Sequence, residues 1–375
     1  MVDTLVQGFV RDRYAPVRAA FHDNLAGGVD LGAALCVTVE GETVVDLWGG
    51  FAGAAGDRPW RRDTIVNVYS TTKTVTALIA LLLADRGELD LDAPVARYWP
   101  EFAANGKQRV KVSHLMSHSA GLPGWRQPMR TEDLYDWEKA TTLLAAQATE
   151  WEPGTACGYH GLTQGYLVGE VVRRITGRSI GTVLRDEIAE PLGADFHIGL
   201  PASEETRVAE LVAPPAGPPQ FGATDLQVMV AGNPAPEVAQ VNSRAWRRAE
   251  IPAAGGTGNA RSVAQMHAIL ANRGVAQGRR FMSEAGCRRA LDLQIAGRDL
   301  ILDMPLRFGM GFALGDRLMP HPHTLYWGGY GGSLAIIDLD ARTTFCYVMN
   351  KMSGTVADLR GIGLAMVAWD AMGIL

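Results

Sequence analysis

The sequence predicts an α/β (α+β) fold, in which an antiparallel sheet built from both ends of the chain is flanked by helices and carries an inserted, mostly helical domain. Strand-like runs lie near both ends of the 375 residues, and helical patterns lie between them. We expect residues 1–80 and 155–375 to form the α/β domain and residues 81–154 to form the helical domain. A cleft would then lie between the two.

The strand predictions come from short β-rich runs that are bounded by turn residues. Near the N-terminus, two such runs flank Glu40 and Gly41 and predict a hairpin. A final helix is expected from Val356 to Met372. Before it, four runs separated by Gly, Pro, Asp and Arg predict strands at 309–315, 324–329, 333–340 and 343–350.

Apolar residues recur every three or four positions in the middle of the chain, which is typical of helices packed against a core. The proline-rich segment from Pro201 to Pro252 has few such patterns, so we expect long loops with short helices there. Such loops either shape a pocket or form a passive surface. The helices are predicted at 78–86, 113–119, 134–148, 164–175, 180–190 and 263–272.

Composition and charge argue against several classes of function. Apolar residues make up 47% of the chain, enough for a large core, and the net charge of −5 comes from dispersed charges, so we expect no nucleic-acid partner. The longest apolar stretch, 74–84, is too short for a bilayer, and the first residues lack a basic region before an apolar core. We therefore expect a cytoplasmic protein without a membrane anchor. The sequence leaves the oligomeric state open.

Cysteine usage predicts neither a disulfide framework nor a zinc site, because Cys36, Cys157, Cys287 and Cys346 are far apart and form no C-x-x-C pair. We expect free, mostly buried thiols. No metal and no cofactor is expected, and a small molecule is the expected partner.

Ser70 and Lys73 are the strongest candidates for chemistry, because they stand three residues apart at the start of an apolar helix. Residues at this spacing share one helix face, so the Lys73 amine can reach the Ser70 hydroxyl. The match alone is weak, since about one Ser-x-x-Lys is expected by chance in a chain of this size. The apolar stripe that follows, ended by Gly87, predicts a buried helix, and buried lysines are rare unless paired or functional. This context favours a nucleophile activated by an amine whose pKa is lowered by burial.

Two further segments could complete such a site. Tyr159 stands between a Pro-Gly turn and an amphipathic helix, where it is either a proton shuttle in a cleft or a packing residue. Beside a Lys73 ammonium, its phenol would have a lowered pKa. Trp327, Gly328, Gly329 and Tyr330 follow a strand-like run, and the glycines would let the backbone approach a substrate closely. The backbone N–H groups of Ser70 and Tyr330 are then a candidate oxyanion hole.

With these residues in order, the chain resembles the serine β-lactamase-like superfamily, which includes class C β-lactamases, DD-peptidases and family VIII carboxylesterases. In order and spacing of motifs it is most similar to the family VIII carboxylesterases. The resemblance implies Ser70 as nucleophile, Lys73 as the base that activates it and Tyr159 as the phenol that relays the proton. It rests on Ser-x-x-Lys and on the segments HLMSHSAGLPGW, PGTACGYHGLTQGYLVGEVVRRITG, GGTGNARSVAQMHAIL and YWGGYGGS.

Two departures from the β-lactamase pattern favour esters over β-lactams. Gly161 stands where a Tyr-x-Asn motif would have its amide, and Trp327 stands where Lys-Thr-Gly would have its lysine. The missing lysine removes a cation that would bind a β-lactam carboxylate, whereas Trp327 offers an apolar wall for a neutral acyl or alkoxy group. We therefore expect a carboxylesterase with a covalent acyl-enzyme. The alternatives are a β-lactamase, a D-amino-acid peptidase or amidase, an acyltransferase, or a non-catalytic ligand-binding protein.

Several other motifs predict structure and not chemistry. Ser179 lies in a G-x-S-x-G pattern, but the pattern joins two helices and lacks the preceding strand of a nucleophile elbow, so Gly177 and Ser179 are expected to be helix caps. His160 could take the role of the base but ranks below Tyr159. The remaining candidates are expected to be structural or are left open: His114 and His118 at i, i+4 spacing, and His321 and His323 in a turn.

Overall fold

A computed structural model describes residues 5–214, 224–316, 319–355 and 358–375 of the chain. Val356, the predicted start of the last helix, lies outside the described residues, as do the first four residues and residues 215–223 of the predicted loop segment. The predicted α/β fold with a large antiparallel sheet flanked by helices is confirmed.

The main sheet has nine strands among the described residues, all paired antiparallel, in the order β1-β3-β2-β14-β13-β12-β11-β10-β9. Two smaller sheets hold the remaining strands, in the order β4-β6-β5 and as the pair β7-β8. The strands are β1 Val6–Val10, β2 Gly32–Val39, β3 Glu42–Gly50, β4 Val66–Asn67, β5 Phe196–His197, β6 Thr257–Gly258, β7 Val275–Ala276, β8 Arg279–Arg280, β9 Ile295–Arg298, β10 Pro305–Phe308, β11 Ala313–Leu314, β12 Thr324–Gly328, β13 Leu334–Asp338 and β14 Thr343–Met349.

The six predicted helices of the middle of the chain form, with ends shifted by a few residues. The predicted helix at 180–190 is α6 and α7 joined by a π-helical turn at Arg185–Ala189. The helices are α1 Ala15–Ala26, α2 Thr72–Asp85, α3 Val112–Met116, α4 Trp137–Ala146, α5 Thr163–Thr176, α6 Ile180–Leu184, α7 Glu190–Leu192, α8 Asp225–Gly232, α9 Val238–Val241, α10 Arg244–Arg248, α11 Ala260–Ala271, α12 Glu284–Arg288 and α13 Leu359–Met372.

The two ends of the chain meet in the middle of the sheet, as the sequence predicts. Strand β2 pairs with β14, and Cys36 lies opposite Cys346 in that pairing. The predicted hairpin joins β2 to β3 through Glu40 and Gly41, whose φ angles of 52° and 83° are those of a tight hairpin turn. All four cysteines are free and buried, as predicted.

Helices cover both faces of this sheet. On one face, α1 and α13 pack together and bury Phe21 and Trp369 against the strands. On the other face, α11 packs on β2 and β14, and α2 lies beyond it in a second, larger apolar core. The stripe from Val75 to Leu83 is fully buried, and Gly87, with a φ of 75°, follows the end of α2. Helix α2 is therefore a buried helix, as its apolar pattern predicts.

Helix α2 runs across residue 81, the predicted boundary of the helical domain, and packs on α5, α6, α11 and α12, which all belong to the predicted α/β domain. The division of the chain at residues 81 and 155 stays a prediction. Within the described ranges, no helix combines the length and the apolar character that crossing a bilayer requires.

Candidate active site

Ser70 lies in a tight turn between strand β4 and helix α2. The residue before it, Tyr69, has a φ of 43°, a conformation that costs about 1–3 kcal/mol for a side chain other than glycine. Two neighbours hold this turn: Asn67 Oδ1 accepts a hydrogen bond from the Tyr69 N–H at 3.0 Å, and Thr72 Oγ1 donates to the Tyr69 carbonyl. The strained turn presents the Ser70 hydroxyl at the start of α2.

Lys73 lies one turn further along α2 and is directed at Ser70, as the spacing predicts. Its Nζ is 3.0 Å from Ser70 Oγ, 2.7 Å from the Gly161 carbonyl oxygen and 3.0 Å from the Ala253 carbonyl oxygen. A neutral amine has two N–H groups and one lone pair. When the two carbonyls accept the two N–H groups, the lone pair is left facing the Ser70 hydroxyl. The carbonyls of Gly161 and Ala253 thus orient the Lys73 lone pair toward Ser70.

Burial lowers the pKa of Lys73 well below its usual value. The side chain is 2% exposed, and no carboxylate of the described residues forms an ion pair with it. Desolvation disfavours the ammonium form, and no nearby negative charge stabilises that form in compensation. The neutral amine is therefore favoured, and after it takes a proton the two carbonyls and the serine oxygen can accept all three of its N–H groups.

Tyr159 donates a hydrogen bond to Ser70 Oγ at 2.7 Å, so its phenol is the second group on the serine oxygen. The Lys73 Nζ lies 4.8 Å from the centre of the Tyr159 ring. Burial raises the pKa of Tyr159 to about 12, against the smaller lowering effects of its hydrogen bonds with Ser70 and Trp327. The expectation of a lowered phenol pKa is therefore wrong, because it placed an ammonium beside Tyr159 and did not include the burial of the phenol. The Tyr159 phenol is therefore neutral at ordinary pH.

Aromatic rings fix the orientation of the Tyr159 side chain. The ring centres of His118 and Trp327 lie 4.9 Å and 5.2 Å from that of Tyr159, and Trp327 Nε1 approaches the phenol oxygen at 3.4 Å. Trp327 is 9% exposed and also packs on Phe308. Most of the Trp327 ring therefore supports Tyr159, and only a narrow part of it is available as the expected wall for a substrate.

The turn after strand β12 lies against the Ser70 turn, which brings Tyr330 beside it. Ser333 Oγ donates to the Val68 carbonyl at 2.8 Å and is 2.9 Å from Thr71 Oγ1, and the rings of Tyr330 and Tyr69 meet edge to face at 5.3 Å. In the described parts of the chain the Tyr330 N–H has no hydrogen-bond partner, as a free oxyanion donor requires.

Gly329 makes the approach of these two turns possible. A Cβ atom there would stand 2.1 Å from the Val68 carbonyl oxygen, so only glycine fits. The lack of a side chain at Gly329 thus allows its backbone to contact the turn that carries Ser70. A substrate-binding role for Gly328 and Gly329, like the oxyanion role of Ser70 and Tyr330, stays a prediction.

His160 is not placed to act as a base. Its Nδ1 lies 2.6 Å from the Gly158 carbonyl and its Nε2 accepts from the Leu122 N–H at 3.1 Å, so both ring nitrogens are used by the backbone. Burial lowers the pKa of His160 to about 4, which keeps the ring neutral. His118 accepts from the His160 N–H at 3.0 Å, and burial lowers its pKa well below the usual value. These two rings organise the loop around Tyr159.

The other candidates have structural partners elsewhere. Ser179 caps α6 and donates to Glu250 at 2.6 Å, and Gly177 ends α5 with a φ of 67°, as predicted. His321 and His323 pair with Asp338 and Asp340 at the Thr324 end of β12, the opposite end from Tyr330. Across the described ranges, no group of three or more His, Cys, Asp or Glu side chains is arranged to hold a metal ion.

Comparisons with known proteins find similarity over most of the chain. The family model described as Beta-lactamase matches residues 17–366. The chain is 36% identical over 368 residues to Esterase/beta-lactamase LipL of Mycobacterium tuberculosis (strain ATCC 25618 / H37Rv), covering 92% of this chain and 83% of that protein.

Two crystal structures extend the similarity to the whole fold. A family VIII carboxylesterase superposes with a TM-score of 0.93 at 42% identity, covering 98% of this chain and 99% of that one. A penicillin-binding protein homologue from Caulobacter crescentus superposes with a TM-score of 0.92 at 39% identity, with the same coverage. The protein with the Ser70–Lys73–Tyr159 cluster therefore belongs to the β-lactamase family.

Proposed function

We propose that the protein is a carboxylesterase that hydrolyses small neutral esters through an acyl-enzyme on Ser70. The observation that carries the proposal is the contact of both Lys73 Nζ and Tyr159 Oη with Ser70 Oγ, at 3.0 Å and 2.7 Å. One group can remove the hydroxyl proton while the other holds the oxygen in place. The esterase names of LipL and of the family VIII structure support the choice of substrate class.

The proposed reaction moves one proton around a closed set of groups. Lys73 takes the proton of Ser70 as the serine oxygen attacks the ester carbonyl, and the N–H groups of Ser70 and Tyr330 bind the resulting oxyanion. The C–O bond to the alcohol then breaks, and Tyr159 gives its proton to the departing alkoxide while Lys73 returns a proton to Tyr159. Water then attacks the acyl-enzyme, using the same groups in reverse order.

The residues around Gly161 support a preference for neutral esters as substrates. A Cβ atom there would stand 3.2 Å from Val230 Cγ1 of α8, so an apolar side chain fills the space beside the position where the family pattern has its amide. Trp327 adds an apolar ring where that pattern has a cation. An uncharged acyl or alkoxy group suits these neighbours better than a carboxylate does.

A substrate panel tests the proposal. We expect turnover of short-chain p-nitrophenyl esters with a kcat/KM well above those for a chromogenic cephalosporin and for D-amino-acid amides. Treatment with an organophosphate should add one phosphonyl or phosphoryl group, detected by mass and located on the peptide that contains Ser70. Preferred cleavage of the cephalosporin would favour a β-lactamase, the second activity in the name of LipL. Absence of both turnover and labelling would favour a binding protein.

Gly161→Asn is expected to lower the kcat/KM for esters by about tenfold, because overpacking against Val230 costs about 1–3 kcal/mol. The strain would lie at the residue whose own carbonyl accepts a hydrogen bond from Lys73. Val230→Ala makes room, so the double variant should recover part of the loss. Kinetics of the two single variants and the double variant on one p-nitrophenyl ester measure this. Equal rates for Gly161→Asn with and without Val230→Ala would contradict it.

A cytoplasmic location stays part of the proposal. Its support is that all four cysteines are free thiols, as is typical of a reducing compartment. Recovery of the active protein only from a secreted or membrane fraction would contradict it.

A further inference from the structure

Asp299 is a buried carboxylate outside the Ser70–Lys73–Tyr159 cluster, and it touches the backbone of Tyr159. Its Oδ1 accepts hydrogen bonds from three N–H groups: Tyr159 at 3.1 Å, Ile301 at 2.9 Å and Leu302 at 2.8 Å. One oxygen atom thus joins the loop of Tyr159 to the turn that follows strand β9. We infer that Asp299 is a positioning residue that holds Tyr159 at its working distance from Ser70, an inference that rests on the proposed function.

A second pair of contacts joins the same two segments. The thiol of Cys157 donates to Asp299 Oδ2 at 2.9 Å, and the Leu300 N–H donates to the Cys157 carbonyl at 2.8 Å. Cys157 is two residues before Tyr159, so the loop is fixed at both positions. The turn at 299–302 therefore binds the loop at Cys157 and at the backbone N–H of Tyr159.

The carboxylate has no other partner that explains its burial. Asp299 is 1% exposed, and among the described residues no Lys, Arg or His forms an ion pair with it. A buried charge is costly unless hydrogen bonds replace its water, and bonds from backbone N–H groups to a carboxylate are among the stronger ones. These bonds make the geometry of the two segments stiff, since moving the loop would leave a buried charge without donors.

The stiffness matters because the other contacts of Tyr159 act on its ring. His118 and Trp327 pack on the ring, and the bond from Trp327 Nε1 is long at 3.4 Å. These contacts set how the ring is turned but leave the backbone position to the loop. A displacement of about 1 Å at a catalytic group can cost about 10²-fold in rate. The His118 ring accepts from the N–H of the next residue, His160, and Asp299 is the described residue whose side chain binds the backbone N–H of Tyr159 itself.

The test uses the leaving group of the ester. A p-nitrophenolate departs without a proton, whereas an alkoxide requires one, so loss of the Tyr159 phenol should lower kcat/KM more for an ethyl ester than for the p-nitrophenyl ester of the same acid. We expect Tyr159→Phe to show this pattern. Asp299→Ala should show it too, with a loss of about 10–100-fold on the ethyl ester. In the double variant Asp299→Ala/Tyr159→Phe, adding Tyr159→Phe to Asp299→Ala should lower the kcat/KM for the ethyl ester only slightly further. Asp299→Ala has by then already displaced the phenol that Tyr159→Phe removes.

Two further variants separate positioning from general damage. Asp299→Asn keeps an oxygen that can accept the three N–H groups and should retain most of the activity on both esters. Asp338→Ala is the matched control, since Asp338 is also 1% exposed and its Oδ1 accepts two backbone N–H groups, of Asp340 and Ala341, at the far end of β12. Asp338→Ala should lower the thermal unfolding temperature without changing the ratio of the kcat/KM values for the two esters. If Asp299→Ala does not fold, Asp299→Ser carries the same comparison.

Equal losses on both esters in Asp299→Ala, or losses that multiply with those of Tyr159→Phe, would overturn the inference. An unchanged rate in Asp299→Ala would overturn it as well. A failure of the proposed function looks different, because Tyr159→Phe on its own would then show no dependence on the leaving group.

Discussion

Ser70→Ala is expected to lower the kcat/KM for p-nitrophenyl esters by at least about 10⁴-fold, the scale of loss when a hydrolase loses its nucleophile. The residual rate would come from the oxyanion donors and from substrate binding. The hydroxyl removed is the atom that Lys73 Nζ and Tyr159 Oη both contact. Steady-state kinetics and organophosphate labelling of purified, folded variant measure the effect, and the label should be absent.

Ser179→Ala is the matched control, because Ser179 sits in the sequence pattern of a different esterase fold. The structure uses its hydroxyl to cap α6 and to bind Glu250. We expect a loss of stability of about 1 kcal/mol, the usual value of a helix N-cap, with the kcat/KM nearly unchanged. Retained labelling in Ser70→Ala, or its loss in Ser179→Ala, would refute the assignment of the nucleophile.

Lys73→Met is expected to lower kcat/KM by about 10²–10⁴-fold, the range that a positioned general base contributes. Methionine has a similar length and suits the buried site, so the helix should be retained while the base is lost. The matched control is Lys107→Met. Lys107 is also fully buried, but its Nζ donates to the carbonyls of Ala104, Ala145 and Gln147 and meets no hydroxyl group. That variant should lose stability and keep its activity.

The pH dependence of the native protein follows from the same pair of groups. Only the neutral amine of Lys73 can accept a proton, so kcat/KM should rise with pH through the Lys73 pKa. Burial lowers that pKa, so the plateau should begin far below the pH at which an ordinary lysine becomes neutral. Tyr159, with its pKa raised to about 12, should keep its proton throughout this plateau. A rate that begins to rise only near pH 10 would contradict the base role of Lys73.

The parts of the site that could be predicted from the sequence depend on local spacing. Ser70 and Lys73 are three residues apart on one helix, so their contact follows from helix geometry alone. The hairpin of β2 and β3 is local in the same sense. Tyr159 is a candidate because it stands between a Pro-Gly turn and an amphipathic helix, and the family resemblance implies its role as a proton relay. These predictions needed no knowledge of which distant segments meet.

The parts that could not be predicted depend on segments far apart in the chain. Ala253 supplies a carbonyl to Lys73, and nothing in its own sequence neighbourhood indicates that role. Asp299 approaches Tyr159 from 140 residues away, and no motif marks it. The glycines after Trp327 predict a close backbone approach to a substrate, but the sequence does not indicate that Gly329 and Ser333 lie against Val68 of the Ser70 turn. The pKa of Tyr159 was predicted in the wrong direction because its sign depends on burial.

The pairing of β2 with β14 has a consequence for how the molecule is assembled. Cys36 and Cys346 are neighbours on adjacent strands of the sheet although they are 310 positions apart in the sequence. Closing so large a loop is slow, because the entropy of closure is lost before any strand contact repays it. A growing chain on the ribosome can therefore form the helix that carries Ser70 and Lys73 long before β12 and Tyr330 exist. We expect hydrolytic competence to appear only after the last strand has been synthesised and inserted between its two neighbours.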